Sequence, residues 1–108
     1  MMDFAVIGMG KIARDQHLPA IAQSDFFSLK APVDPTLETD GKSSFDSVKA
    51  LVASGFRGAV AICTPPAVRF AVAKDAIAAG LHVMLEKPPS LSISQVEELA
   101  TDAARAGT

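Results

Sequence analysis

The sequence predicts an α/β fold in which a doubly wound parallel sheet lies between two layers of helices, a three-layer αβα arrangement. Apolar runs of strand length alternate with stretches of helical periodicity, which is the order expected of βαβ units. A glycine-rich turn joins the first strand to the first helix. With 108 residues the chain is long enough for one domain, 1–108, and leaves no room for a second core of similar size.

Four apolar runs are predicted to be strands, and because they are continuous rather than alternating they indicate a sheet buried on both faces. The polar segment 35–43 is predicted to be a loop with room for one very short strand. The predicted strands are 4–7, 29–33, 59–63 and 82–85.

Helical stretches separate these strands, and their ends carry recognisable signals. Asp46 is predicted to cap the second helix and Gly55 to end it, while Gly80 ends the third. Ser94 and Glu97 have the spacing of a capping box at the start of the last helix. The first three predicted helices cover 11–22, 44–55 and 67–79.

Composition and charge exclude several classes of function. A net charge of −2 with scattered Lys and Arg argues against a broad nucleic-acid or anionic-lipid surface. No apolar stretch reaches the roughly 20 residues of a membrane helix and no basic leader is present, so a cytoplasmic location is predicted. Cys63, the single cysteine, lies in an apolar run and is predicted to be a small buried hydrophobe rather than a reactive thiol. No metal site is predicted.

The segment GMGKIA at 8–13 follows a strand and opens a helix, which is the context of a phosphate-binding glycine loop. Gly8 permits a tight turn, and Gly10 lets a pyrophosphate approach the backbone. Ala13 keeps the helix close to the sheet, and Lys11 adds positive charge near the helix N-terminus. The pattern predicts a Rossmann-like dinucleotide site; without its context it would be only a glycine-rich turn.

Asp34 lies at the end of the second strand, where a carboxylate can accept hydrogen bonds from the ribose hydroxyls of adenosine. The alternative is a turn residue, because Asp before Pro commonly starts a turn. Pro35 stands where an Arg could bind a 2′-phosphate, so NAD is favoured slightly over NADP, although Lys42 could reach the same place.

Two further polar groups are predicted at the carboxyl edge of the sheet, where open parallel sheets bind ligands. Thr64 follows the third apolar run, and it either contacts the cofactor or caps the next helix with Pro66 in its first turn. Glu86 and Lys87 follow the last predicted strand. The Lys87 ammonium can donate to a substrate oxygen as charge develops, or can simply be solvated in a loop.

Three ordered segments give the chain a family resemblance that spans nearly its whole length. AVIGMGKIA at 5–13, CTPP at 63–66 and AAGLHVMLEKP at 78–88 resemble the N-terminal domain of the Gfo/Idh/MocA oxidoreductases, which act mainly on sugars and polyols. The sequence departs from many relatives at Arg69 and Leu81, where they carry His and Lys.

Within that family three segments look most like the galactose 1-dehydrogenase branch: KIARDQHLPAIA at 11–22, CTPPAVRF at 63–70 and LEKPPS at 85–90. The resemblance implies NAD or NADP as cofactor, a sugar as substrate, and Lys87 as the catalytic residue that orients the reacting hydroxyl. The cofactor-binding residues it implies, together with the ribose ligand argued above, are Gly8, Met9, Gly10, Lys11, Ile12, Asp34, Cys63, Thr64, Pro65, Glu86 and Lys87.

Relatives continue into a last strand of the sheet and a second domain that carries the remaining catalytic Asp and His. We therefore expect this chain to lack that strand and to be inactive alone. In strand order 3-2-1-4-5-6 the missing strand would expose the edge strand 82–85, which predicts self-association there. His17 and His82 are expected to be structural rather than catalytic.

For the complete protein the resemblance implies hydride transfer from a sugar hydroxyl to nicotinamide, with C1 of galactose and its lactone as one candidate. One alternative is a non-catalytic nucleotide-sensing or interaction module on the same fold. Another is a phosphorylation receiver domain, which Thr64 and Lys87 would fit. That domain needs paired carboxylates where this chain has glycines, so it is the less favoured alternative.

Overall fold

The computed structural model describes residues 1–36 and 44–108, and in this part of the chain four parallel strands form one sheet. The strand order is β2-β1-β3-β4. This confirms the predicted parallel sheet, with β1 and β2 each extending further toward the N-terminus than expected. The strands are β1, Met2–Ile7; β2, Phe27–Val33; β3, Ala59–Ile62; and β4, His82–Leu85.

The helices connect these strands in the predicted order. The helix after β1 contains a π-helical segment, Ala13–His17, followed by the α-helical turn α1, Leu18–Ala22. The wider π-helical turn commonly occurs next to functional sites. The remaining helices are α2, Val48–Ala53; α3, Pro66–Ala78; and α4, Ile93–Ala106.

Two predicted helix caps were wrong by one or two positions. Helix α2 is capped by Ser47, not Asp46, because the Ser47 hydroxyl accepts from the Ala50 N–H at 3.1 Å. Helix α4 is capped by Ser92, not Ser94, because Ser92 has the extended backbone of an N-cap. Several serines near a helix start compete for the cap, and backbone conformation decides among them.

The predicted ends of α2 and α3 are confirmed. Gly55 and Gly80, which follow the two helices, have φ angles of +95° and +79°, a conformation that favours glycine. Helix α2 is nevertheless much shorter than the predicted 44–55, since Ser44, Phe45 and Asp46 precede its cap.

Both faces of the sheet are covered, as predicted. Strand β1 alternates between them: Ala5 and Ile7 face the layer formed by α2, α3 and α4, while Phe4 and Val6 face the first helix. The result is a three-layer αβα arrangement in which the described residues place three helices on one face and one on the other.

The two edges of the sheet differ. Beyond β2, Phe45 forms an isolated parallel bridge with Val33, at the place where the order 3-2-1-4-5-6 puts its third strand. The rest of the predicted loop, including Lys42, lies outside the described residues. Strand β4 has no second partner strand in the described part of the chain. Next to it, on the face with one helix, is an apolar groove of about 440 Å³ that includes Phe4, Ile21 and Met84 in its lining.

Candidate functional site

The loops at the carboxyl ends of β1, β2 and β3 enclose a cleft of about 560 Å³. This is the edge at which parallel sheets bind ligands. Every predicted cofactor-binding residue lines the cleft except Glu86 and Lys87. The lining residues are Gly8, Met9, Gly10, Lys11, Ile12, Asp34, Pro35, Thr36, Cys63, Thr64, Pro65 and Val68.

The two loop glycines have different roles. Gly8 has a φ of +89°, and a Cβ there would lie 2.7 Å from the Thr64 nitrogen and 2.8 Å from the Cys63 carbonyl carbon. Gly8 is therefore required for the loops after β1 and β3 to touch. A Cβ on Gly10 would have no atom within 4 Å, so this glycine leaves an open path from the cleft to the backbone.

The helix that starts beyond the loop presents the positive end of its dipole to the cleft. Its first N–H groups, including those of Lys11 and Ile12, have no carbonyl one turn earlier with which to pair. The Lys11 ammonium is exposed and forms an i,i+4 ion pair with Asp15. Arg14 donates from Nε to the Met9 carbonyl at 2.7 Å. Because Lys11 is already paired with Asp15, the groups of the cleft floor that suit a phosphate are the backbone N–H groups at this helix N-terminus.

Asp34 combines the two roles that the sequence left open. Its Oδ2 accepts from the Met9 N–H at 2.8 Å, which ties the end of β2 to the glycine loop. Its Oδ1 accepts from the N–H and hydroxyl of Thr36, at 2.9 and 2.7 Å, in a side-chain turn. The Met9 bond, followed by those from Thr36, lowers the pKa of Asp34, so the carboxylate facing the cleft is ionised. One of its roughly four acceptor positions remains for a ligand.

Thr64 is a buried polar residue in the cleft wall. Of the two roles that the sequence left open for Thr64, the cap of α3 was wrong, because Pro65 holds the N-cap position and Pro66 opens the helix. The Thr64 hydroxyl is buried without a hydrogen-bond partner among the described residues. A buried hydroxyl without a partner is costly, so this group is a natural ligand contact.

Cys63 is half-buried and also lines the cleft. Burial, with a smaller effect of the Glu86 carboxylate, raises the pKa of its thiol to about 11. The thiol is therefore protonated near neutral pH, which fits the predicted unreactive role. The loop after β4 lies beside the cleft, because Leu85, the last residue of β4, pairs with Ile62 at the end of β3, directly before Cys63.

That loop carries Glu86 and Lys87. Glu86 Oε2 lies 2.7 Å from His17 Nε2, at the C-terminal end of the π-helical segment, and this hydrogen bond lowers the pKa of Glu86. His17 therefore links the first helix to the loop after β4, while His82 is exposed on β4. The Lys87 side chain is exposed, with no partner among the described residues, so its ammonium is free to meet a ligand.

Arg69 has contacts that the sequence did not predict. This residue is 3% exposed and donates to the carbonyls of Thr64, Glu86 and Pro88. A signal for it exists in the sequence, because Arg69 shares a helix face with the buried residues Ala73, Ala76 and Ile77 of α3. A charged residue on an otherwise apolar stripe is a sign of a specific buried partner.

Comparison with protein families gives a match to the Gfo/Idh/MocA oxidoreductase family, NAD-binding Rossmann fold, over residues 2–108. The chain is 41% identical over 91 residues to a galactose 1-dehydrogenase from Pseudomonas fluorescens, covering 83% of this chain and 30% of the relative. A UDP-N-acetylglucosamine 3-dehydrogenase from Acidithiobacillus ferrooxidans is 35% identical, with 91% and 32% covered.

Solved structures give the same result. A D-galactose-1-dehydrogenase from Rhizobium etli superposes with a TM-score of 0.89 at 38% identity, covering 99% of this chain and 35% of that one. The dehydrogenase WlbA from Bordetella pertussis, in complex with NADH and UDP-GlcNAcA, has a TM-score of 0.86 at 27% identity, with 98% and 35% covered. This chain thus spans about a third of the length of these relatives. Within 1–36 and 44–108, no helix is long and apolar enough to cross a membrane.

Proposed function

Because this chain belongs to the Gfo/Idh/MocA oxidoreductase family, we propose that it is the cofactor-binding domain of an NAD-dependent sugar dehydrogenase. The observation that carries the proposal is the cleft in which the glycine loop, Asp34 and the Thr64 hydroxyl converge, the last with no hydrogen-bond partner in the described part of the chain. Each of these groups offers a dinucleotide a contact that the protein itself leaves open.

The residues of the cleft fit such a cofactor in charge and in shape. The N–H groups of Gly10, Lys11 and Ile12 would hold the pyrophosphate, since Gly10 leaves their approach open. Asp34 would accept from the adenosine ribose through its remaining lone pair. Thr64 would hydrogen bond along the dinucleotide with its buried hydroxyl, beside Pro65, while Met9 and Cys63 form walls of the cleft.

The preference for NAD over NADP rests on Asp34. Its lowered pKa keeps it ionised, and an ionised carboxylate repels a 2′-phosphate. Pro35, which follows it in the cleft wall, offers no positive charge. We therefore propose that NAD binds more tightly than NADP, and that Asp34→Ala reduces the difference between the two affinities.

For the reaction, the bound nicotinamide supplies the hydride acceptor for oxidation of a sugar hydroxyl. We assign that hydroxyl to the anomeric carbon of a galactose-like sugar, which gives a lactone, from the similarity to two galactose dehydrogenases. Lys87 donates to the oxygen of this hydroxyl and stabilises negative charge on it as its proton leaves. We assign the general base to a part of the protein beyond this chain, so the chain alone is expected to be inactive.

Two further proposals concern the self-association of the protein and its location in the cell. The edge of β4, which has no second partner strand in 1–36 and 44–108, is proposed to mediate self-association, which sedimentation across a range of concentrations would detect. A strict monomer at high concentration would refute this. The cytoplasmic location remains a prediction, and fractionation of cells that express the protein would test it.

Calorimetric titration with NAD⁺ and with NADP⁺ tests the cofactor site. Gly10→Glu places a carboxylate where the pyrophosphate would lie and is expected to weaken binding at least about a hundredfold, the equivalent of about 2.7 kcal/mol. Ala104→Glu is the control, since it adds the same charge at an exposed position of α4, which contributes no residue to the cleft. Equal binding by both variants, or no binding by the unmodified chain, would contradict the proposal.

The activity itself is tested on the full-length protein with NAD⁺ and galactose. Reduction of NAD⁺ that is lost in Lys87→Ala supports the dehydrogenase. Tight cofactor binding with no turnover on any sugar would instead support a nucleotide-sensing module.

A further inference from the structure

Arg69 connects two loops that lie side by side, at the carboxyl ends of the neighbouring parallel strands β3 and β4. From helix α3 its Nη2 donates to the Thr64 carbonyl at 2.5 Å, and its Nη1 donates to the Glu86 carbonyl at 2.7 Å and to the Pro88 carbonyl. Thr64 belongs to the loop after β3, and the other two carbonyls belong to the loop after β4. A single buried guanidinium thus holds both loops.

The two acceptors in the second loop flank Lys87. Fixing the carbonyls before and after a residue fixes the direction in which its side chain leaves the backbone. From the other side of the loop, His17 holds the Glu86 carboxylate at 2.7 Å. The Lys87 backbone is therefore held by its neighbours while its side chain is exposed and free.

This arrangement costs the fold free energy. A buried cation is unfavourable unless it is well paired, and the three bonded partners of Arg69 are neutral carbonyls rather than carboxylates. Its Nε is buried with no partner among the described residues. An apolar side chain would fill the same space without that cost, so packing alone does not account for an arginine here.

We propose that Arg69 is a positioning residue that couples Thr64, in the cofactor cleft, to Lys87 at the reaction end of the site. This inference rests on the proposed function, because it takes Thr64 as a dinucleotide contact. Cofactor bound at Thr64 acts through the Thr64 carbonyl on the guanidinium, and through it on the two carbonyls that orient Lys87.

The test uses NMR of the isotopically labelled chain titrated with NAD⁺, following the backbone amides of Thr64 and Lys87. In the unmodified chain both amides are expected to shift with one common binding curve. In Arg69→Met, which keeps the volume, NAD⁺ still binds through the glycine loop and the Thr64 amide still shifts. The Lys87 response is expected to fall several-fold, and Arg69→Lys, which keeps a donor, to restore part of it.

Arg57→Met is the matched control. Arg57 also donates to a backbone carbonyl, that of Phe56 at 2.6 Å, and among the described residues it has no hydrogen bond to either loop. Its removal is expected to leave the Lys87 response unchanged. The proposal would be overturned if the Lys87 amide shifted as much in Arg69→Met as in the unmodified chain. It would also be overturned if, in the unmodified chain, NAD⁺ shifted the Thr64 amide to saturation and left the Lys87 amide unchanged.

Hydrogen exchange without cofactor separates this inference from the proposed function. Loss of the guanidinium is expected to speed exchange of the Glu86 and Lys87 amides about tenfold, while amides of β1 keep their rates. If neither the unmodified chain nor the Arg69 variants bind NAD⁺, but the Glu86 and Lys87 amides still exchange faster in the variants, the cofactor proposal fails and Arg69 still positions the loop. Unchanged exchange in both Arg69→Met and Arg69→Lys would show that Arg69 does not hold it. Should Arg69→Met not fold, Arg69→Lys is compared with the unmodified chain instead, with a smaller expected loss, because one ammonium replaces only part of the three contacts of the guanidinium.

Discussion

The glycine loop after β1 and the Glu86–Pro88 loop after β4 lie at the same edge of the sheet, but different features of the sequence determine their conformations. The conformation of the first depends on two glycines. Gly8 allows the backbones of the loops after β1 and β3 to touch, and Gly10 leaves the cleft open. The second is shaped by long side chains from distant parts of the chain, Arg69 and His17. A loop defined by local backbone chemistry is visible in the sequence, whereas one held by tertiary contacts becomes visible only in the structure.

The largest expected effect comes from adding one methyl group to the first loop. In Gly8→Ala the Cβ would lie 2.7 Å from the Thr64 nitrogen, on a backbone with φ of +89°. Backbone atoms cannot give way as a flexible side chain can, so we expect a loss of about 3 kcal/mol or more in the free energy of unfolding. Urea unfolding followed by circular dichroism would measure it.

Gly10→Ala is the control for this prediction. Its Cβ would meet no atom within 4 Å, so the free energy of unfolding should change by less than about 1 kcal/mol. NAD⁺ binding should nevertheless weaken, because the methyl group projects into the path of the pyrophosphate. Equal stability of the two variants would mean that the close contact between the loops after β1 and β3 is not a feature of the fold.

What can be predicted from the sequence follows the same division. The strand, the GMGKIA turn and the following helix are contiguous, so their spacing predicts the part of the cleft formed by residues 8–12. The other predicted lining residues depend on the expected carboxyl edge of the sheet and on the family resemblance. The His17–Glu86 contact joins residues 69 positions apart, and no local pattern announces such a pair. The sequence gives one signal for Arg69, which is a charged residue on a buried helix face. Its three acceptors are backbone carbonyls, and no sequence pattern identifies them.

Asp34 lies between the two cases, since its position was predictable but its partners were not. Asp34→Ala removes the acceptor of the half-buried Met9 N–H, and we expect a loss of about 1–2 kcal/mol in the free energy of unfolding at pH 7. Asp34→Asn, which keeps one acceptor oxygen, should recover part of that loss. Denaturant unfolding at several pH values would test both.

The pH dependence of this effect has a definite sign. Because folding lowers the pKa of Asp34, its contribution is fully present above the unfolded pKa of about 3.9 and is lost as the pH falls through the folded value. The stability difference between the unmodified chain and Asp34→Ala should therefore be constant from about pH 7 to 5 and shrink below about pH 4. A difference that grows in acid would contradict this assignment.

The smallest expected effect concerns the second loop. His17→Phe removes the hydrogen bond that lowers the pKa of Glu86, so that pKa should rise toward its ordinary value. Carbon-detected NMR titration of the glutamate carboxyl groups would measure the change. His82→Phe is the control, because His82 is exposed on β4 and has no hydrogen bond to Glu86 among the described residues. If the pKa of Glu86 were the same in the unmodified chain and in His17→Phe, His17 would not contribute to holding this loop.

The most direct test of the central claim is a map of where the cofactor binds. In amide NMR spectra of the chain saturated with NAD⁺, the largest shifts are expected at Gly8, Gly10, Lys11 and Thr64, the residues whose geometry forms the cleft. The account would be contradicted by shifts concentrated instead around Ile21 and Met84 in the apolar groove beside β4, or by no saturable shifts at all.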